Sequence, residues 1–139
     1  NLPIIHLDSY FHKPNWEKVS NEEWDKIHED LISGKEWIID GTYKRTLEKR
    51  INKADTIIFL DIPKWLAFYR IVKRRVIYRN SKRPDMPDFL NEQISFTLFR
   101  KNLNFSRKRI YEIINKYNNS KKIIVLKNNR EIDQFLTET

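Results

Sequence analysis

Four short apolar runs punctuate this chain of 139 residues: Pro3–Leu7 (PIIHL), Trp37–Asp40 (WIID), Thr56–Leu60 (TIIFL) and Lys122–Leu126 (KIIVL). Each is too short for a stable helix and rich in the β-branched residues that favour strands. Strands that are apolar throughout, alternating with helices, belong to parallel sheets covered on both faces. The pattern predicts an α/β fold: a three-layer sandwich around a parallel sheet, forming a single domain over residues 1–139.

The helical segments between the strands carry their own signals. Ser20 and Glu23 have the spacing of a capping box, and Val19 with Trp24 fits a hydrophobic staple. Trp24, Ile27, His28 and Leu31 then fall on one helical face, and Gly34 is expected to cap the end. A short helix is expected around Thr46–Ile51. Asp61 and Pro63 fit the start of a longer one reaching about Tyr78, with Trp65, Tyr69, Val72 and Val76 on its apolar stripe. RNSKRPDMPD, with Pro84 and Pro87, breaks the pattern. Phe89–Tyr117 reads as helical with a break near Asn104–Ser106, and Arg130–Leu136 as a last helix. The tryptophans, Trp16, Trp24, Trp37 and Trp65, are expected in the core or in pocket walls.

Charge narrows the function. Lysine and arginine total 27 against 19 acidic residues, a net charge of +8. Lys64, Arg70, Lys73, Arg74, Arg75, Arg79, Lys82 and Arg83 form a run with no Asp or Glu between them, and Arg100, Lys101, Arg107, Lys108 and Arg109 form another. A polyanionic partner is implied: nucleotide, nucleic acid or an anionic surface. The chain has no cysteine, which excludes a disulfide framework and a thiolate zinc site. No apolar run approaches the ~20 residues of a membrane span, and no signal-peptide pattern is present. The expectation is a soluble, cytoplasmic protein without a membrane partner.

In open α/β sheets, ligands bind beyond the carboxyl ends of the strands. Asp8, Asp40 and Asp61 sit at or just past such ends. Asp61, directly before Ile62-Pro63, reads as a helix cap. Asp8 and Asp40 open no obvious helix, and two carboxylates facing a basic helix suit a metal–phosphate site. One can position Mg²⁺ through water while the other orients or deprotonates an acceptor hydroxyl. Arg70 and Arg74 share a helix face, with Arg75 and Arg79 forming a second row. Guanidinium forks grip phosphate oxygens bidentately. Tyr10 and Tyr43, near strand ends, are candidate acceptor-pocket residues. His6, His12 and His28 lack the spacing of a metal site and read as core or surface residues.

These residues carry a resemblance. WIIDGTYKRT resembles the strand and turn of adenylate-kinase-type enzymes, and TIIFLDIPKWLAFYRIVKRR resembles their next strand and lid-leading helix. LPIIHLDSYFHKPNW, WIIDGTYKRT, RPDMP and NFSRKR, in that order, resemble the bacterial DNA topology modulation proteins, a group of predicted P-loop kinases. The resemblance implies a P-loop nucleoside-triphosphate hydrolase/kinase-like fold with ATP and Mg²⁺ as cofactors. It implies that Asp40 lies beside the Mg²⁺–nucleotide, that Asp8 contacts the acceptor, that Arg45 faces it, and that Arg70 and Arg74 reach the phosphates. Arg75, Arg79, Arg83 and Arg107 complete a phosphate-and-lid set, with a short lid around residues 79–88.

Such kinases begin with a strand followed by G-x-x-x-x-G-K-[ST], which does not occur in these 139 residues. The resemblance aligns Asn1 just after the helix that follows this motif. About 20 to 25 residues holding the first strand and P-loop are therefore expected before Asn1, unless something else fills the gap between the strands ending at Asp40 and Leu60. The leading expectation is phosphoryl transfer from ATP to a nucleotide, nucleoside or other small acceptor. The alternative is a basic protein binding DNA on the same scaffold without kinase activity.

Overall fold

The structure, a computed structural model, describes residues 2–14, 17–78 and 106–138. The lid segment with Arg79 and Arg83, the breaker segment, the start of the long helix and Trp16 lie outside the described residues. The chain divides into two compact units.

Among the described residues the first unit holds 2–14, 17–53 and Tyr78. It comprises β1 (Ile4–His6), α1 (Asp8–Phe11), α2 (Asn21–Leu31), β2 (Ile38–Asp40) and α3 (Leu47–Lys53). β1 and β2 pair in parallel, Ile4 with Ile38, Ile5 with Ile39 and His6 with Asp40. A parallel pair needs a long crossover, here the segment holding α1 and α2. Helix α2 forms as its sequence dictates. Ser20 Oγ accepts from the Glu23 amide at 3.1 Å, the N-cap half of the expected box. Val19 and Trp24 are both buried, closing the staple. The core is Leu7, Val19 and Trp24, wrapped by Ile5, Phe11, Ile27, Leu31, Ile39 and Tyr43. Phe11, Trp24 and Tyr43 meet pairwise with ring centroids 4.7–4.9 Å apart.

Two local expectations fail here. Gly34 does not cap α2: the helix ends at Leu31, Ile32 is its C-cap, and Gly34 has no positive φ. Ser33 instead turns the chain, its amide and hydroxyl both donating to the Asp30 carbonyl. Asp8 does open a helix, the single turn α1, although it is Leu7 that occupies the cap position.

The second unit holds β3 (Thr56–Leu60), α4 (Lys64–Ile77), α5 (Arg107–Asn115), β4 (Lys122–Leu126) and α6 (Asn129–Glu138). β3 and β4 are parallel over their whole length, from Thr56 with Lys122 to Leu60 with Leu126. Ile110, Ile113 and Ile114 of α5 are buried, as is Leu126. Ser106 caps α5 through the Arg109 amide. A second box, Asn128 with Glu131, caps α6: the Glu131 amide donates to Asn128 Oδ1, and Glu131 Oε2 accepts from the Lys127 amide.

The architecture is thus mixed α/β with parallel pairing, as expected; among the described residues each unit holds one two-stranded parallel sheet. The strands are not covered on both faces: Ile4, Ile38, Ile58 and Leu60 are each 47–63% exposed. The expected stripe of α4 does lie along one face of the helix, but that face is the exposed one. Trp65, Tyr69, Val72 and Val76 face solvent, whereas Leu66, Ala67, Arg70, Ile71 and Arg74 lie on its partly buried side. Trp65, at 70% exposure, is therefore no core residue. Among the described residues no helix is long and apolar enough to cross a membrane.

Candidate functional site

The register of β1 and β2 brings their carboxyl ends side by side, and four polar side chains gather there. His6 and Asp40 are direct cross-strand partners, with His6 Nδ1 3.4 Å from Asp40 Oδ2. The Asp40 carboxylate is 76% exposed and so open to a ligand. One residue beyond β1, the Leu7 amide donates to the Asp40 carbonyl, which aligns the start of α1 with the end of β2. Asp8 then meets Tyr43, whose hydroxyl donates a hydrogen bond to Asp8 Oδ1. Burial and this bond to the carboxylate push the Tyr43 phenol far above its ordinary range, so it stays a donor. Tyr10, the other expected pocket residue, sits on α1 and is 44% exposed.

The turn after β2 is unusual in its backbone. Gly41 has φ 127° and Tyr43 φ 22°, both in the region that L side chains avoid. A Cβ on Gly41 would stand 3.0 Å from Leu7 Cβ and 3.2 Å from Tyr43 Cδ2, so glycine is required for closeness as well as for φ. Arg50 braces this turn from below. It is 5% exposed, and its Nη2 donates to the carbonyls of Gly41 and Thr42, both at 2.8 Å.

Arg45 points elsewhere than at an open site. It grips Asp25 bidentately at 3.1 and 2.7 Å, holding that carboxyl below the usual carboxylate range. Lys49 donates a single hydrogen bond to Glu29 Oε1 at 2.7 Å and likewise holds that carboxyl below its usual range.

In the second unit, Asp61 follows β3 but is not a helix cap. Its Oδ2 accepts from the Tyr111 hydroxyl at 2.7 Å, and Arg107 Nε lies 3.0 Å from Oδ1. The Arg107 contact with Oδ1 is an ion pair. Arg107 also donates to the Ile62 carbonyl, which commits the guanidinium expected for phosphate to tying α5 onto the strand end. Arg70, on the partly buried side of α4, donates to Asn129 Oδ1 at the start of α6. Arg74 and Arg75 lie two turns or less from the end of α4 and are both partly buried.

For a cofactor the donor sets are sparse. Among the described residues no three His, Asp or Glu side chains converge as a metal cage. Magnesium needs no such cage, since it keeps several waters and takes one or two carboxylates plus substrate phosphates. The exposed Asp40 fits that indirect part.

Sequence reading missed Arg50, Tyr111 and the Asn128–Glu131 box. The last was visible as an N-x-x-E pattern ahead of Ile132. Arg50 gave only the weak signal of sharing a helix face with Thr46, four residues earlier. No protein-family model, curated protein or solved structure matches this chain.

Proposed function

We propose that the β1–β2 end is the acceptor side of a small P-loop kinase of the adenylate-kinase type, akin to the DNA topology modulation proteins. The reaction is transfer of the γ-phosphoryl group of magnesium–ATP to a nucleotide, nucleoside or other small acceptor, in the cytoplasm. The supporting observation is that Asp8, Asp40, His6 and Tyr43 share the carboxyl ends of two adjacent parallel strands, where open α/β sheets bind ligands.

When bound, magnesium–ATP supplies the phosphoryl group and the counter-charge for its transfer. Asp40 would hold that cation, through water rather than by direct contact. Tyr43 occupies one oxygen of Asp8 and leaves the other to receive the proton of the acceptor hydroxyl. For Arg45 to face the acceptor it must exchange Asp25 for it.

The test uses the longest natural chain containing these 139 residues. Magnesium–ATP is expected to raise its Tm, because a ligand that binds only the folded state stabilises it. ADP release is expected to require both Asp8 and an added acceptor. No thermal shift with magnesium–ATP, together with DNA affinity that collapses on adding salt, would replace this reading by nucleic-acid binding.

A further inference from the structure

We propose that Arg50 is the positioning residue of the turn after β2: its buried guanidinium fixes the backbone from Gly41 to Tyr43 and thereby sets the Tyr43 hydroxyl against Asp8. The catalytic consequence rests on the kinase reading above; the geometry does not.

The Arg50 guanidinium makes four hydrogen bonds, and none goes to a carboxylate. Nη2 reaches the carbonyls of Gly41 and Thr42, and Nη1 reaches Thr46 Oγ1 and His28 Nε2, each at 3.2 Å. Burial draws its pKa down only to about 10, so the side chain is still a cation at neutral pH. A buried charge normally requires a paired charge. Here the dipoles of two consecutive carbonyls take that part, and both must point at one nitrogen. That requirement orients the intervening peptide and with it the left-handed residues on either side, Gly41 and Tyr43. The Thr46 amide closes the turn by donating to the Tyr43 carbonyl at 3.0 Å.

His28 holds the other side of the guanidinium. Arginine has only donors, so His28 Nε2 carries the lone pair and Nδ1 the proton. The ring is fully buried and neutral, its pKa lowered to about 4 by burial and then by the nearby Arg50 charge. Lysine cannot do what Arg50 does, because a single ammonium lacks the planar fork that spans carbonyls and imidazole together.

The experiment uses the full chain with tyrosine labelled at the ring ζ-carbon, Tyr43→Phe identifying the resonance. Spectra are recorded from about pH 7 to about pH 9.5, where Arg50 keeps its proton, with circular dichroism confirming the fold. In the unaltered chain the Tyr43 signal is expected to stay still. In Arg50→Met and Arg50→Lys the turn is released, and the signal is expected to move with the onset of titration toward the ordinary phenol value of about 10. Loss of the Arg50 charge alone has the opposite sign, because that charge lowers the Tyr43 pKa. A folded Arg50→Met or Arg50→Lys chain whose Tyr43 signal stays still therefore overturns the proposal.

If neither variant folds, the unaltered chain decides. Distinct, slowly exchanging Nη protons on Arg50 support the proposal, and rapid exchange like that of exposed arginines overturns it. None of these readouts needs nucleotide. A chain that ignores magnesium–ATP yet shows the expected Tyr43 shifts overturns the kinase reading and keeps this one.

Discussion

The Tyr43 hydroxyl donates to Asp8 Oδ1 across 35 positions of sequence, joining the end of β1 to the turn after β2. The parallel register makes the meeting possible, and the left-handed backbone at Tyr43 aims the ring. Tyr43→Phe keeps the ring packing on Phe11 and Trp24 and removes only the donor. The expected cost is about 1 kcal/mol in stability by denaturant titration. If Asp8 takes the acceptor proton, kcat falls more than KM rises, since the lost interaction orients the base. An unchanged kcat separates Tyr43 from catalysis.

His28 makes stability depend on acid. Its ring is buried and neutral in the fold, with a pKa lowered to about 4 from 6.5. Below the unfolded value the unfolded chain binds a proton that the folded chain refuses, so folding loses free energy as pH falls. The loss runs from about pH 6.5 down to about pH 4 and reaches up to about 3 kcal/mol. Above that window the ring is neutral in both states and contributes no slope. Urea titrations at stepped pH are expected to show this slope, and His28→Gln to flatten it. An equal slope in His28→Gln would assign the acid sensitivity to the carboxylates instead.

Gly41 tolerates no side chain. A φ of 127° is strained for alanine, and the new Cβ meets Leu7 at 3.0 Å, a core atom without room to retreat. Gly41→Ala is therefore expected to cost more than the ~1 kcal/mol that unstrained Gly/Ala exchanges involve. The same clash pushes on the Tyr43 ring, 3.2 Å from that Cβ. Loss of the Tyr43–Asp8 bond is expected alongside the fall in Tm, read as a shift of the Tyr43 NMR signal. A Tm equal to that of the unaltered chain would show that the turn relaxes freely.

What the chain displayed in its sequence was mostly local. The Ser20–Glu23 box and the Val19–Trp24 staple placed the start of α2, β3 has the expected bounds, and α4 ends within a residue of expectation. Periodicity gave α4 an apolar stripe but could not say whether anything covers it, and Trp65 and Val76 proved exposed. Asp61 was read by its neighbour Pro63 as a cap, because its real partner Tyr111 lies 50 positions away and leaves no local mark. Arg50 escaped for the same reason: nothing in a helix reading LEKRINK tells a buried cation from a solvated one. Asp8 and Tyr43 were legible as neighbours of strand ends, but their hydrogen bond follows from strand pairing, which no single segment encodes.

Arg107 offers a direct contest between a structural and a phosphate-binding part. Its guanidinium stands against Asp61, whose side chain is only 13% exposed, and donates to the Ile62 carbonyl. Removing it leaves a largely buried carboxylate held by the Tyr111 hydroxyl without its counter-charge. Arg107→Ala is accordingly expected to destabilise the fold by about 1–3 kcal/mol, the usual cost of stranding a buried polar group. Asp61→Asn removes the charge and weakens the same pair, so the two substitutions together are expected to cost less than the sum of each alone. A phosphate-binding arginine behaves differently: Arg107→Ala would then leave Tm unchanged and abolish the thermal shift produced by magnesium–ATP. Denaturant titration of the single and double variants, with and without nucleotide, tells the two apart, because α5 is held to the end of β3 by this contact whether or not a ligand is present.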